Sequence, residues 1–365
     1  MLTPTDCRTR QKRLLGLMET NQWDVFLTGN YRTVYYLTGI LARPDGPSVF
    51  ILWSDGTSAV IAPVTDGAVA TETVPLEIYS IHRSITEPAH DAAKIAGDIL
   101  AKRPTPRRSG VERSGTNAWL ARLLPDASDA TQGILRLRKR KEQDEIGEIR
   151  RSLELCAAAY RAARETLRSG LTEIDVYNAM NAAVIHAAGT VVPFPGDFAC
   201  GQRCIREGGP PTPRVIESGD LYILDIFPAP ALYFGDTCRT FAVSEPADVQ
   251  HKAWEVVCKA KKIAEEAIRP NVQASDVYQQ VKEYLDSEPV TEKSFWHHVG
   301  HGIGHHGHEA PRIIPASQDV FEVGDVFTLE PGVYTEALHG GIRIEDNYLL
   351  TESGLVNLFY FPTGL

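Results

Sequence analysis

Six histidines, His297, His298, His301, His305, His306 and His308, fall within twelve positions of a chain that holds eleven in all. Imidazoles bind metals and move protons near neutral pH, so this segment, WHHVGHGIGHHGHEAP at 296–311, is the first place to look for chemistry. Its glycines, Gly300, Gly302, Gly304 and Gly307, are incompatible with a good helix. No i, i+4 stripe can therefore present all six rings. Two or three at most are expected to point the same way, and their partners must be sought elsewhere in the chain.

Those partners are carboxylates in apolar strand patterns. In LYILDIFP a period of two puts Leu221, Ile223, Asp225 and Phe227 on one face and Tyr222, Leu224 and Ile226 on the other. Both faces are apolar, so an ionised Asp225 is costly unless a charge or a metal compensates it. ALYFGDTCRTFAV repeats the anomaly at Asp236, after a turn supplied by PAPA, so the two segments read as a hairpin whose carboxylates converge. VFTLEPGVY places Glu330 with Val326 and Thr328, and IRIED places Glu345 with Arg343. Arg239 and Arg343 are the only strand cations, too few for four carboxylates. Two divalent ions carry the matching charge, and one neutral imidazole could complete the ligand set. Oxygen-rich ligation with a single histidine suits Mn²⁺, Co²⁺, Fe²⁺ or Zn²⁺.

The surrounding elements fall into two halves. From DVFLTG to LEIYSI, short apolar runs (TVYYLTG, SVFILW and SAVIAP between them) alternate with helical patterns such as DAAKIAGDILAKR, which reads as an α/β domain. The boundary is expected between Thr131 and Lys141, giving domains 1–135 and 136–365, with the basic run Arg136–Lys141 as a solvated linker and helix start. A long amphipathic helix closed by Gly170 follows, then a helix with Thr172 as N-cap. Strands, a helix pair over Val249–Asp286, the histidine segment and further strands complete an α+β half.

At 365 residues, 43% hydrophobic and 23% charged, the chain is globular in composition. A net charge of −10 argues against nucleic acid or anionic membrane as the partner. The absence of a membrane-length apolar run or signal-type leader points to a cytoplasmic protein. Six scattered cysteines suit free thiols in a reducing compartment, and Cys200 and Cys204 lack the second pair that a zinc site needs.

In order, Asp225, Asp236, His301, Glu330 and Glu345 resemble the dinuclear metal ligands of the peptidase family that includes methionyl aminopeptidase, aminopeptidase P, prolidase and creatinase. GDTCRTF, GHGIG with HEAP, EPGVY and GIRIED match its motifs, and YYLTG resembles the creatinase/prolidase N-terminal domain. The resemblance spans nearly the whole chain. It implies a C-terminal pita-bread domain with a curved, mostly antiparallel sheet, two divalent ions (Mn²⁺ first) and a homodimer. Within it, His308 matches the histidine that donates to the substrate carbonyl or tetrahedral intermediate, and His297 one that lines the substrate pocket. Glu330 would pass a proton to the leaving amine after a metal-bridging hydroxide attacks. Arg343 could orient Glu345 or a substrate group. His298, His305 and His306 receive no role and are read as loop or rim residues.

Relatives of this type carry a further histidine upstream of the first Asp. Aligned on Gly201 and Gly219, that position falls at Gly208, beside Glu207, and Phe227 stands where many relatives have glycine. Slow cleavage of Xaa-Pro peptides, improved by Gly208→His, is the corresponding expectation. The leading function is a proline-linked peptidase acting on a peptide or small amide. The alternatives are a small-molecule C–N hydrolase or lyase on the same scaffold, like creatinase or ectoine hydrolase, and a non-catalytic binding module.

Overall fold

The computed structural model describes residues 1–41, 46–79, 87–206 and 208–365. The chain divides into two compact units, Met1–Arg138 and Lys139–Leu365. The first is α/β and the second α+β, as the apolar patterns predict.

In the first unit, β1 (Val25–Thr28), β2 (Val49–Trp53), β3 (Ser58–Ala62), β4 (Glu72–Pro75), β5 (Ser109–Val111) and β6 (Ser128–Asp129) form one mixed sheet in the order β4-β3-β2-β1-β5-β6. The side-chain period of two separates its cores. Val25, Leu27, Val49, Ile51 and Ile61 pack beneath the helix Pro88–Ala101. Phe26, Phe50, Leu52 and Val60 pack with Leu14 and Met18 of the helix Pro4–Asn21. TVYYLTG, expected as an apolar strand-like run, lies in a helix, Tyr31–Thr38. Residues 33–38 are all buried, so they carry no period that separates strand from helix. The ends decide instead: Asn30 accepts from the Arg32 amide and Gly39 closes in the left-handed region. Of the strand expected at LEIYSI, residues 80 and 81 lie outside the described residues. Residues 76–79 form no strand, and β4 takes the edge.

The basic run is not a solvated linker. A helix spans Thr131–Lys139, and Arg138 and Lys141 are only 1% and 4% exposed. Buried cations need partners, and Lys141 finds Glu309 at 3.2 Å while Lys139 finds Glu322 at 2.6 Å and Asp325 at 3.2 Å.

In the second unit every named strand pair is antiparallel. β7 (Gly196–Cys200), β8 (Leu221–Ile226) and β9 (Thr237–Ala242) form a three-stranded sheet in chain order. β10 (Gly300–Gly302), β11 (Glu309–Ile313), β12 (Val326–Leu329), β15 (Asp346–Thr351) and β16 (Gly354–Asn357) form a second, ordered β11-β10-β12-β15-β16. β13 (Gly332–Thr335) and β14 (Gly340–Arg343) make a hairpin, and a bridge between Cys238 and Glu345 ties the three-stranded sheet to the segment between β14 and β15. Helices Asp248–Ala267 and Ala274–Ser287 cover one side, where Val257, Val277, Phe327, Leu329 and Ile342 share a core. The helix Gln143–Thr166 holds the other sheet: Ser152 Oγ donates to Tyr233 O, and Tyr160 Oη lies 2.6 Å from Thr237 O. The helix Glu173–Ala188 begins at Thr172 as its spacing predicts.

The second arm of the expected hairpin is shorter than its pattern suggests. Residues 227–236 form a loop, with Leu232 at φ +61, and β9 begins only at Thr237. Alternation of side-chain type over Leu232–Asp236 is thus accidental. The loop's backbone bonds go elsewhere, Phe234 N to Gly304 O at 3.0 Å and Gly235 N to Pro228 O at 3.1 Å.

Arg239 locks the segment that carries Glu345. It donates to the Glu345 carbonyl at 2.7 Å and to Asp346 Oδ1 at 2.6 Å, with Lys261 on the other Asp346 oxygen. Arg239→Leu leaves a buried carboxylate short of one partner. It is expected to cost about 3 kcal/mol or more, read as a lower urea midpoint without a change in slope; an unchanged midpoint refutes that role.

Candidate metal centre

Asp225, near the end of β8, faces Cys238 of β9 on one side and Asp197 of β7 on the other. Asp236 stands one residue before β9, close enough for the Asp225 carboxylate to raise its pKa alongside burial. Glu330 follows β12 and accepts from Thr328 Oγ1 at 3.3 Å. Glu345 is brought alongside β9 by its bridge to Cys238. Four carboxylates that the sequence spreads over 121 positions are thereby buried together, each 8% exposed or less.

His301 sits among them. Its ring lies 3.1 Å from Glu330 Oε1 and 3.8 Å from Asp236 Oδ2, and one oxygen each of Asp236 and Glu345 lies within 4.8 Å of a ring nitrogen. Nδ1 is 3.1 Å from the Gly302 carbonyl, which can only accept, so Nδ1 carries the proton and Nε2 offers a lone pair. That lone pair facing a carboxylate oxygen demands a cation or a proton between them. The flanking glycines serve the sheet: a Cβ on Gly300 would meet Thr328 O at 2.0 Å, and one on Gly302 Ala310 O at 2.0 Å. Their role is thus close strand approach.

The other histidines divide differently from the expectation. The rings of His297, His298, His301 and His308 form one contiguous group, with His308 stacked on His301 at 3.8 Å, so four converge where two or three were expected. His298 is not a rim residue, because its Nδ1 lies 3.1 Å from Glu330 Oε1. Nor is His305, which is 1% exposed, packed on Tyr233 and bonded to Leu232 O at 3.1 Å. His306 is half-exposed near Glu309. His308 is exposed, its pKa lowered to about 4 by partial burial and by the neighbouring His301 and His298.

Arg343 pairs with Asp225, at 2.6 Å, and not with Glu345. It also donates to Tyr334 Oη at 2.9 Å and to Asp197 Oδ2 at 3.2 Å. Tyr334 lies 2.9 Å from His297 Nε2, and His297 Nδ1 donates to the His298 carbonyl at 2.7 Å. The proton order follows: Arg343 to Tyr334, Tyr334 to His297 Nε2. Burial holds the His297 pKa down, to about 4, which keeps the ring neutral for that role.

Asp197 and Tyr334 are absent from the sequence-derived set. Asp197 had a signal, a carboxylate in the strand GDFAC opposite Asp225, whereas a tyrosine in a buried strand carries none. Gly208 stands against Asp197: at φ +57, a Cβ there would lie 3.1 Å from the Asp197 carboxylate. A ring at 208 therefore meets both backbone strain and the carboxylate, so Gly208→His is not expected to improve the site. Glu207 lies outside the described residues.

The electrostatics fit divalent cations. Glu345 Oε1 and Oε2 and Asp225 Oδ1 are buried without a hydrogen-bond partner, each a costly omission unless an ion takes the lone pairs. Burial, reinforced by the neighbouring carboxylates, pushes Asp236 and Glu345 well above the usual range and Asp225 up to about 6. Burial acts on Glu330 too, but His298 and His301 outweigh it and hold Glu330 low. Asp225, Asp236, His301, Glu330 and Glu345 together could hold two ions of the oxygen-preferring kind.

Comparison with known proteins shows the family. Residues 147–352 match the metallopeptidase family M24, and residues 10–139 match the creatinase/prolidase N-terminal domain. The chain is 34% identical to the Xaa-Pro dipeptidase of Pyrococcus furiosus, over 96% of this chain and 97% of that protein. It is 26% identical to the Xaa-Pro dipeptidase of Pyrococcus horikoshii, over 94% of each. The solved Xaa-Pro dipeptidase from Bacillus anthracis superposes with a TM-score of 0.83 at 24% identity, over 98% of this chain and 99% of that one, and so shares the fold.

The raised carboxyl groups give a signed pH effect in metal-free protein. In the unfolded chain they ionise near pH 4, whereas in the fold Asp236, Glu345 and Asp225 keep their protons to higher pH. Their contribution is therefore fully present below about pH 4 and is lost as pH rises through the folded values. The Tm of chelator-treated protein is expected to fall between pH 5 and 7, and metal addition at pH 6 to release about one proton or more per chain. A Tm that rises over this interval, with no proton release, would contradict the ligand set.

Proposed function

Because the chain belongs to metallopeptidase family M24, we propose that it is a metal-dependent hydrolase that cleaves peptides at a proline-linked bond. The observation that carries this reading is the set of buried carboxylate oxygens without partners around His301. A fold has no use for that arrangement without cations. The small-molecule hydrolase and the non-catalytic module are not favoured, since the relatives matched along the full length include two Xaa-Pro dipeptidases.

When bound, two divalent ions supply Lewis acidity and a nucleophilic water at neutral pH. Asp225, Asp236, His301, Glu330 and Glu345 would hold them, with Mn²⁺ our proposed metal. Glu330, with His298 Nδ1 3.1 Å from its Oε1, is placed to accept a proton and return it to the departing nitrogen. His308, stacked on His301 and neutral at pH 7, presents an N–H that could donate to the developing oxyanion. Arg343 holds Asp225 in place and spares that carboxylate from carrying its burial alone. His297 acts through Tyr334 in the same support. A homodimer and a cytoplasmic location remain part of the proposal. Among the described residues, no helix is long and apolar enough to cross a membrane.

Asp236→Ala is expected to abolish hydrolysis of Xaa-Pro dipeptides and to lower bound metal below two ions per chain, measured by elemental analysis. His308→Ala is expected to keep its metal and lose about 10²–10³ in kcat with little change in KM. Loss confined to KM would place His308 in ground-state binding. His305→Ala is expected to act on stability, through its packing on Tyr233, more than His306→Ala does.

A further inference from the structure

Beside the carboxylate cluster lies a cavity of about 80 Å³ whose wall includes Asp197, Gly208, Trp296, Tyr334 and Arg343. Among the described residues, its two charged groups are unequally available. The Arg343 side chain is 13% exposed and is committed to Asp225, Tyr334 and Asp197. The Asp197 side chain is 37% exposed. One of its oxygens takes the Gly209 amide at 2.7 Å and the other takes Arg343 at 3.2 Å, which leaves lone pairs open on both. What the cavity offers an incoming ligand is thus a carboxylate.

Two further features shape it. Gly208 lacks a side chain where a Cβ would stand 3.1 Å from the Asp197 carboxyl group, so position 208 itself puts no side chain against that carboxylate. Trp296 is 64% exposed and leans on Tyr334 with ring centroids 5.5 Å apart, giving the same cavity an aromatic wall at its mouth. An accessible carboxylate beside an exposed indole suits an organic cation, through a charge-assisted hydrogen bond and a cation–π contact. Ala199, Cys204 and Ile223 give the rest of the wall an apolar lining that fits an alkyl stem.

We propose that this cavity is a specificity subsite in which Asp197 and Trp296 bind an ammonium or guanidinium side chain on the residue preceding the scissile bond. The inference rests on the hydrolase reading above and narrows its substrate class to peptides beginning with lysine or arginine. Asp197 is fixed for this task by strand pairing, its register partner being Asp225. The subsite carboxylate is therefore carried by the strand paired with the one that bears a proposed metal ligand, and its position relative to that ligand is set by the sheet.

The test compares Lys-Pro with its uncharged isostere norleucyl-Pro in kcat/KM. It also compares L-lysine with L-norleucine in Kd for metal-loaded enzyme by calorimetry, which needs no turnover. Lysine compounds are expected to be favoured about tenfold or more in both measurements. Asp197→Asn, which keeps the acceptor for Gly209, is expected to reduce the preference to about twofold. Trp296→Ala, a surface change, is expected to reduce it by a smaller factor. Equal handling of the two side chains, or a preference that survives Asp197→Asn, overturns the subsite even if both dipeptides are cleaved. An Asp197-dependent lysine preference in binding without cleavage of either dipeptide upholds the subsite and overturns the peptidase reading.

Discussion

The second unit is organised around a repulsion. Asp225, Asp236, Glu330 and Glu345 are buried within reach of one another's charge, and each of the first, second and fourth is pushed toward its neutral form. In an interior of low dielectric, like charges at such separations oppose folding strongly. The fold tolerates them because it is a container for cations, with His301 aimed among them and lone pairs left open. Chain order and strand register serve that cluster: β8 delivers Asp225, the end of the 227–236 loop Asp236, β10 His301, the end of β12 Glu330, and the β9 bridge Glu345.

A second tier of interactions keeps the cluster from relaxing. Arg343 is divided among Asp225, Tyr334 and Asp197, and Tyr334 passes the order on to His297. Arg239 grips the backbone of Glu345 and the carboxylate of Asp346, and Lys261 takes the other oxygen of that carboxylate. These cations do not neutralise the cluster. They hold individual ligands at fixed positions, which is what a site of defined coordination geometry requires. The difference between the two arginines is one of reach: Arg343 touches the side chain of a proposed ligand, whereas Arg239 reaches Glu345 only at its main-chain carbonyl.

Beside the cluster stand Gly208, where the resemblance led to the expectation of a histidine, and Asp197 opposite it. A histidine expected at 208 is absent, and the space beside that position holds a carboxylate contributed by β7. An imidazole and an open carboxylate favour different ligands, and the proposed subsite rests on that difference. Neither position alone conveys this. Gly208 reads as a deletion of function until Asp197 is seen opposite it.

From the sequence by itself came the two halves and their α/β and α+β character, because period-two burial is a local property of a strand; the four carboxylates stood out from their apolar neighbours, although only Asp225 lies within a strand. The resemblance of five spaced residues to the metallopeptidase family was legible for the same reason, since motifs are short and contiguous. Where burial was uniform, as in residues 33–38, the pattern held no period and the caps had the deciding role. Alternation in Leu232–Asp236 imitated a strand that the loop's hydrogen bonds forbid. Tertiary structure alone decided which histidines met, that His298 faces Glu330 while His305 packs on Tyr233, and that Arg343 serves Asp225. These are distances between segments far apart in the chain, set by sheet register and loop path, and no local preference of the residues encodes them.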